Sequence, residues 1–367
     1  MAKRSATIYD VAGMAGVSIA TVSRVLNGSA PVRQETRERV DSAVRELHFV
    51  PNSAARSLSG GRRGSIGLVY PLDEERTGQG QLHEDDATVL YTDAIIRGAT
   101  WQAARHGCVL LTCAVRIGRN TGPRALQQVC SAVGGLIVTD RVAHHVGAMR
   151  TATRMRAVHL SGSGSPKFGG AISVDNGSGI AALMAHLAET HGVQDFGYVD
   201  GIVDSPDAVA RAEAFRSCLG ALGGVARPEN LLVGEFSMAR AAEALAARLD
   251  HPAPLPQVFV CANDQMALGV VRTLERRGIS VPGEVLVTGF DDVALARQLQ
   301  PGLTTVAQPS FALGVAAVDL VIGLLDGEIP AGTVQTLPTE LVVRSSCGCP
   351  AQTDLDAMNW GYLHAAS

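Results

Sequence analysis

The chain has 367 residues, 46% hydrophobic and 18% charged, with a formal net charge of −4; that length exceeds one compact core, and that balance describes a folded globular protein rather than a disordered one. No run approaches the roughly 20 apolar residues of a membrane helix, and Met1 to Asp10 lacks the apolar core of a secretory leader. The expected location is the cytoplasm, where seven scattered cysteines stay reduced.

Residues 1–63 carry ten Lys/Arg against five Asp/Glu, a net +5 that leaves −9 for the rest. A basic head on an acidic body points to a polyanionic partner for the head alone, although a solvated basic helix gives the same count. Thr7-Ile8-Tyr9-Asp10 has capping-box spacing, a hydroxyl N-cap with a carboxylate three residues on. Ile8, Val11, Ala12 and Ala15 recur at helical spacing, and Gly16 supplies the turn between two crossed helices. Ser18 is placed to cap a second helix with Val22, Val25 and Leu26 inward, and Asn27-Gly28 ends it. A third helix is expected from about Val32 to His48, with Val40, Val44 and Leu47 facing in. Together these make a helix-turn-helix over residues 1–50.

The run Thr7-Ile8-Tyr9-Asp10-Val11-Ala12, then Ala15-Gly16-Val17-Ser18, then Ala20-Thr21-Val22-Ser23-Arg24-Val25-Leu26-Asn27 resembles the signature of the lactose/galactose-repressor (LacI/GalR) family. The resemblance implies a sequence-specific DNA-binding transcriptional regulator, a repressor, whose second helix lies in the major groove. Carried over residue by residue, it makes Ile19 and Ala20 the base-facing pair and Arg24 the polar reader. A guanidinium can grip guanine O6 and N7 with two hydrogen bonds, whereas Ile19 and Ala20 can meet only thymine methyls or groove shape. Thr7, Ser18, Thr21, Ser23, Asn27 and Arg37 complete the head's DNA contacts. Of these, Ser18, Thr21, Ser23 and Arg37 are placed to hold phosphates, which sets register without reading sequence. Thr21 and Ser23 also admit a reading as plain helix surface. The implied partner is a palindromic double-stranded operator bound by a homodimer or a tetramer, since one short head contacts too few bases for useful specificity.

Residues 51–65 read as hinge and linker. Val50-Pro51-Asn52-Ser53-Ala54-Ala55-Arg56-Ser57-Leu58-Ser59-Gly60 resembles the family's hinge helix, with Pro51 and Asn52 suited to a helix start and Gly60 to its stop. Alone it is too short to hold in water, so the resemblance implies that it orders when two copies pack on DNA. Asn52 then joins the DNA contacts, Ala55 lets the paired helices approach, and Leu58 wedges into the minor groove.

From 66 to 347, short apolar runs alternate with amphipathic stretches, among them Ile66-Gly67-Leu68-Val69, Leu136-Ile137-Val138 and Val258-Phe259-Val260. Buried parallel strands between helices give this α/β pattern. With Cys261-Ala262-Asn263-Asp264, Gly289-Phe290-Asp291-Asp292 and Leu303-Thr304-Thr305-Val306-Ala307-Gln308-Pro309, it resembles the two-lobed, periplasmic-binding-protein-like effector and dimerisation domain of the same family. Lobe one is expected over about 66–175 and 306–336, lobe two over about 176–305 and 337–347. Small molecules in such folds bind at strand C-termini between the lobes. The carry-over puts Ser161, Arg211, Phe236, Asn263, Asp291 and Gln308 there, with Phe236 as a stacking platform. An Asp, an Asn and an Arg beside an aromatic suit a sugar-like effector, and a purine or nucleoside stacked on Phe236 is the alternative. Asp264 and Asp292 read equally as cap or turn residues, and Asp175-Asn176 as the cap of the following helix.

The chain also departs from the family. The usual Asn-Pro-aromatic-aromatic loop after the first strand is missing: Pro71 leads into Asp73-Glu74-Glu75-Arg76, and no aromatic follows before Tyr91. Ser161 replaces the Asp usual on the third strand's edge. Cys347 and Cys349 form a CxC with no His or second Cys pair beside them in the sequence, so they read as surface or tail thiols and no metal or cofactor is expected. The tail, 348–367, carries no assigned role. GxxxxGK[ST] and HExxH motifs are absent, and Gly162/Gly164 lack the third glycine of a dinucleotide loop, which argues against an enzyme. A solute-binding transport protein would share the body's fold but not the head.

Overall fold

The computed structural model describes residues 7–27, 32–47, 64–73, 87–117, 123–139, 142, 156–161 and 169–350. The chain forms two units, Met1–Gly64 and Ser65–Ser367. Asn52, Ala55 and Leu58 of the expected hinge lie outside the described residues.

In the head, α1 (Ile8–Ala15) begins with the capping box that the sequence predicts. The Thr7 hydroxyl oxygen accepts from the Asp10 amide at 3.4 Å, and Asp10 Oδ2 accepts from the Thr7 amide at 2.7 Å. Gly16 follows at φ 63, a left-handed conformation that a side chain would strain. In α2 (Ile19–Asn27) the first turn is capped by Ser18, whose Oγ accepts from the Thr21 amide at 3.2 Å. The third helix, α3 (Gln34–Glu46), starts later and stops earlier than expected, and Arg33 precedes it without a side-chain cap. Val11, Ala15, Val22, Val40 and Ala43 form the core, with Val44 and Leu47 only at its edge. The Arg39 guanidinium donates to the carbonyl oxygens of Ala15 and Gly16, at a helix end that leaves carbonyls without intrahelical partners.

The body starts with β1 (Ser65–Asp73), α4 (Ala87–Arg105), β2 (Val109–Ile117), α5 (Pro123–Ala132), β3 (Gly135–Thr139), β4 (Arg156–Leu160) and β5 (Gly170–Val174). The chain continues as α6 (Asn176–His191), β6 (Phe196–Asp200), α7 (Pro206–Leu222), β7 (Leu231–Val233), α8 (Met238–Leu249), β8 (Val258–Cys261), α9 (Asp264–Arg276), β9 (Leu286–Thr288) and α10 (Ala294–Gln298). It crosses on β10 (Thr305–Ala307), adds α11 (Ser310–Asp326) and β11 (Thr333–Leu337), and returns on β12 (Glu340–Val342).

Two parallel sheets result, ordered β11-β5-β4-β3-β1-β2 and β7-β6-β8-β9, with β10 and β12 paired antiparallel where the chain crosses. The central strands are buried on both faces, which is why they read as unbroken apolar runs. Over the larger sheet, Ile95 and Ala99 of α4 pack with Leu313 and Val318 of α11 on Leu68 and Ile137; Leu126 and Cys130 of α5 cover the opposite face. The smaller sheet packs its Phe196, Phe259 and Val260 against Leu183 and Leu187 of α6, Phe215 of α7 and Leu274 of α9.

Helices α4 and α11 meet backbone to backbone through two glycines. A Cβ at Gly98 would collide with the Phe311 carbonyl oxygen, and one at Gly314 with that of Ile95. Among the described residues, no helix is long and apolar enough to cross a membrane.

Candidate functional site

On the head, Val22 and Val25 fix α2 to the core, while its outer face lies outside that core. Ile19, Ala20 and Arg24 are exposed there, Ile19 at 40%. An exposed arginine four residues after Ala20, one helical turn on, fits a face that reads a groove. Thr21 and Ser23 are half-buried on α2 and Arg37 is exposed on α3. The Ser18 and Thr21 hydroxyls stand 2.9 Å apart and Thr7 is engaged with Asp10, so these hydroxyls already have local partners. Asn27 ends α2.

In the body, backbone strain marks the site. Among the described residues, the non-glycine residues at positive φ are Ser161, Glu235, Phe236, Asp291 and Asp292. They follow β4, β7 and β9, at strand C-terminal ends. Such conformations cost about 1–3 kcal/mol each and persist only where the surroundings hold them. Ser161 follows β4, the fourth strand rather than the third.

Arg211 of α7 is the hub. It is 2% exposed, its Nε donates to Asn176 Oδ1 at 2.8 Å, and its Nη1 donates to the Ala262 carbonyl at 2.6 Å and reaches Asp291 Oδ1 at 3.5 Å. Its guanidinium lies 3.7 Å from the Phe290 ring centre and 5.9 Å from that of Phe236, so Phe290 makes the closer cation–π contact. Gln308 Nε2 donates to Asp291 Oδ1 at 2.5 Å, and Asn176 Nδ2 donates to Asp207 Oδ1 at 2.8 Å. Burial pushes the Asp291 carboxyl up to about 7, with Arg211 opposing the rise and Asp207 adding to it.

The opposite lobe enters through Tyr91 of α4. Its hydroxyl stands 3.3 Å from Ser161 Oγ. Burial raises the pKa of that hydroxyl, the charges of Asp207 and Asp291 add to the rise, and Arg211 counters it. Tyr91 and Ser161 therefore face Asp207, Arg211 and Asp291 across the cleft.

Of the residues expected at the cleft, Arg211, Asp291 and Gln308 join one hydrogen-bond network, Phe236 stands beside it, and Ser161 is paired with Tyr91. Asn263 takes a helix-start position: its Oδ1 accepts from the Met266 amide at 2.9 Å and caps α9. Asp264 and Asp292 lock the turn. The first accepts from the Thr305 hydroxyl at 2.5 Å and the Val293 amide at 2.9 Å, and the second pairs with Arg344 at 2.6 Å and Arg297 at 2.8 Å. Asp175 caps α6 through the Ser178 amide. Asn176, by contrast, is buried between Arg211 and Asp207.

Tyr91, Asn176, Asp207 and Phe290 were not assigned to the site from the sequence. Phe290 had a signal, since it lies inside the run matched to the family. One expectation is corrected: Cys347 and Cys349 are not surface or tail thiols without histidine neighbours. Cys347 is fully buried, and His186 and His191 stand beside the pair. The reason is topological: β12 packs on α6, and the 3-10 turn Ser345–Cys347 packs on β9.

Comparison with known proteins agrees with both halves of this geometry. Residues 7–52 match the family model for bacterial regulatory proteins of the lacI family, and residues 184–347 match a periplasmic binding protein-like domain. The HTH-type transcriptional regulator GalR of Escherichia coli K12 is 30% identical over 352 residues, covering 94% of this chain and 97% of GalR. The lac repressor dimer bound to operator and the anti-inducer ONPF superposes with a TM-score of 0.76 at 28% identity, over 94% of this chain and 99% of that one. A complex of the transcriptional regulator CelR with cellobiose gives 0.65 at 25% identity, over 93% and 99%. Its relatives are transcriptional regulators and not enzymes; this chain belongs to the LacI/GalR family of DNA-binding transcriptional regulators.

Proposed function

We propose that the protein is a repressor that binds a palindromic operator as a homodimer through the exposed face of α2, and that a sugar or sugar-derived effector in the cleft sets its operator affinity. One observation carries the effector reading: a buried acceptor oxygen at the cleft lacks a donor. Both bonds to Asp291 fall on Oδ1, and Gln308 Oε1 is buried with no partner among the described residues. A buried acceptor left unmet is costly, and sugar hydroxyls are the donors that would meet it while a ring face rests on Phe236. The lac repressor and CelR structures, which carry ONPF and cellobiose, support the same class.

Tyr91 favours a second reading. With Phe236 it offers a second aromatic ring at the cleft, as a stacked nucleobase would use. A thermal-shift series of sugars, sugar acids, nucleosides and nucleobases separates the two. A sugar is expected to raise the melting temperature and change operator affinity. Stabilisation by a nucleobase alone, lost in Phe236→Ala, would overturn the sugar reading.

For the head, Arg24→Ala is expected to cost about 1–3 kcal/mol of operator affinity and to relax one base position in each half-site. Binding competition against single-base operator variants checks this. An equal loss on random DNA would reassign Arg24 to phosphate.

A further inference from the structure

At the far end of α6 from the cleft, four side chains converge. The donor atoms of His186, His191, Cys347 and Cys349 all lie within 4.8 Å of one another. His186 Nε2 stands 3.6 Å from Cys347 Sγ and 3.7 Å from Cys349 Sγ, and His191 Nε2 stands 3.4 Å from Cys349 Sγ. A zinc tetrahedron with sulfur at about 2.3 Å and nitrogen at about 2.0–2.1 Å puts those atoms roughly 3.6 Å apart. Three of the six distances between the four donor atoms already match a coordination shell.

The surroundings are built for the same purpose. Gly348 separates the two cysteines at φ 92, and this left-handed turn aims both sulfurs to one side. A Cβ there would lie 3.7 Å from the His191 ring. The second ring nitrogen of His186 stands 3.3 Å from the Thr190 hydroxyl, and the Thr304 hydroxyl lies 3.1 Å from Cys347 Sγ. Partners of this kind orient metal ligands and fix the imidazole tautomer. Cys347 is fully buried, so its thiol is not placed for solvent chemistry.

We propose that His186, His191, Cys347 and Cys349 bind a zinc ion in a closed Cys2His2 site that staples the C-terminal turn to the end of α6. Two thiolates and two imidazoles suit zinc and offer calcium or magnesium no oxygen ligand. Four protein ligands leave no open position for substrate water, so the site is structural. The turn it holds also carries Ser346, whose Oγ donates to the Val287 carbonyl at 2.6 Å and accepts from the Thr304 amide at 2.8 Å. The staple therefore fastens β9 and the approach to β10 together.

The test uses the full chain purified in reductant without chelator. Elemental analysis is expected to find one zinc per chain. Cobalt(II) exchanged into the site should give the intense visible absorption of a tetrahedral ion with thiolate charge-transfer bands. His191→Ala and Cys349→Ser should each weaken zinc retention against a chromophoric chelator by more than about tenfold, the loss that even outer-shell changes produce. Because either variant could misfold, His191→Cys provides a second arm: it should keep the metal and intensify the charge-transfer band. Cys218→Ser, outside the cluster, should change nothing. A wild-type chain that takes up neither zinc nor cobalt, or metal uptake indifferent to His191→Ala and Cys349→Ser, would show sulfur–imidazole hydrogen bonding alone and overturn the proposal.

Discussion

Arg211→Met is expected to destabilise the body by about 3–5 kcal/mol, the usual consequence of removing one partner of a buried charge pair. The guanidinium meets Asn176, the Ala262 carbonyl and Asp291 while resting on Phe290. Methionine fills similar volume but removes the donor to Asn176 Oδ1 and to the Ala262 carbonyl and leaves Asp291 with Gln308 alone, with Asp207 close by through Asn176. Arg211→Lys should recover only part of the loss, because an ammonium carries the charge but not the planar fork that spans Asn176 and Ala262. Denaturant melts monitored on the full chain give the comparison. A methionine variant within about 1 kcal/mol of the parent would sink the assignment of Arg211 as the hub, since surface changes alone stay near that range.

Asp291 should make the effector-free body lose stability as pH rises. Its folded pKa, about 7, lies above the roughly 3.9 of an unfolded aspartate. Between those values the folded chain holds a proton that the unfolded chain has released, so unfolding free energy falls with pH. The contribution is whole below about pH 4 and is lost as pH passes through about 7, a change of up to about 4 kcal/mol. Asp291→Asn removes its own share of the titration, while Asp264, whose carboxyl burial also raises, keeps its share: the variant's melting temperature should vary less across this window, exceed that of the parent near pH 8, and respond less to the effector. Operator binding without effector should be unaltered. A parent melting curve flat between pH 4 and 8 would refute the burial argument.

Local structure follows from local signals. The Thr7–Asp10 spacing gave the start of α1, the glycine turn gave the crossing of α1 and α2, and unbroken apolar runs gave the parallel strands. The apolar period suggests a longer third helix because Val32 and Leu47, one on each side of α3, still pack at the core's edge. Asp291 and Gln308 could be named from runs that match a family, and Arg211 from what the resemblance implies. Their bonds could not, since Asn176 reads as cap chemistry while its neighbour Asp175 does the capping. Tyr91 and Asp207 carry no local pattern at all; only the facing of two sheets makes them neighbours. The same holds for His186 with Cys347, whose meeting depends on the return strand β12.

The glycine contact between α4 and α11 has a consequence for how ligand preference can change. Tyr91 sits on α4, and the depth of that helix against the larger sheet is set by Gly98 and Gly314, where two backbones touch. Interiors packed this closely transmit a displacement rather than absorb it. A larger residue at either glycine moves the aromatic ring at the cleft without altering any residue a ligand touches. The range of effectors can therefore drift through substitutions at a buried helix contact away from the cleft, and two relatives with identical cleft residues need not answer to the same molecule.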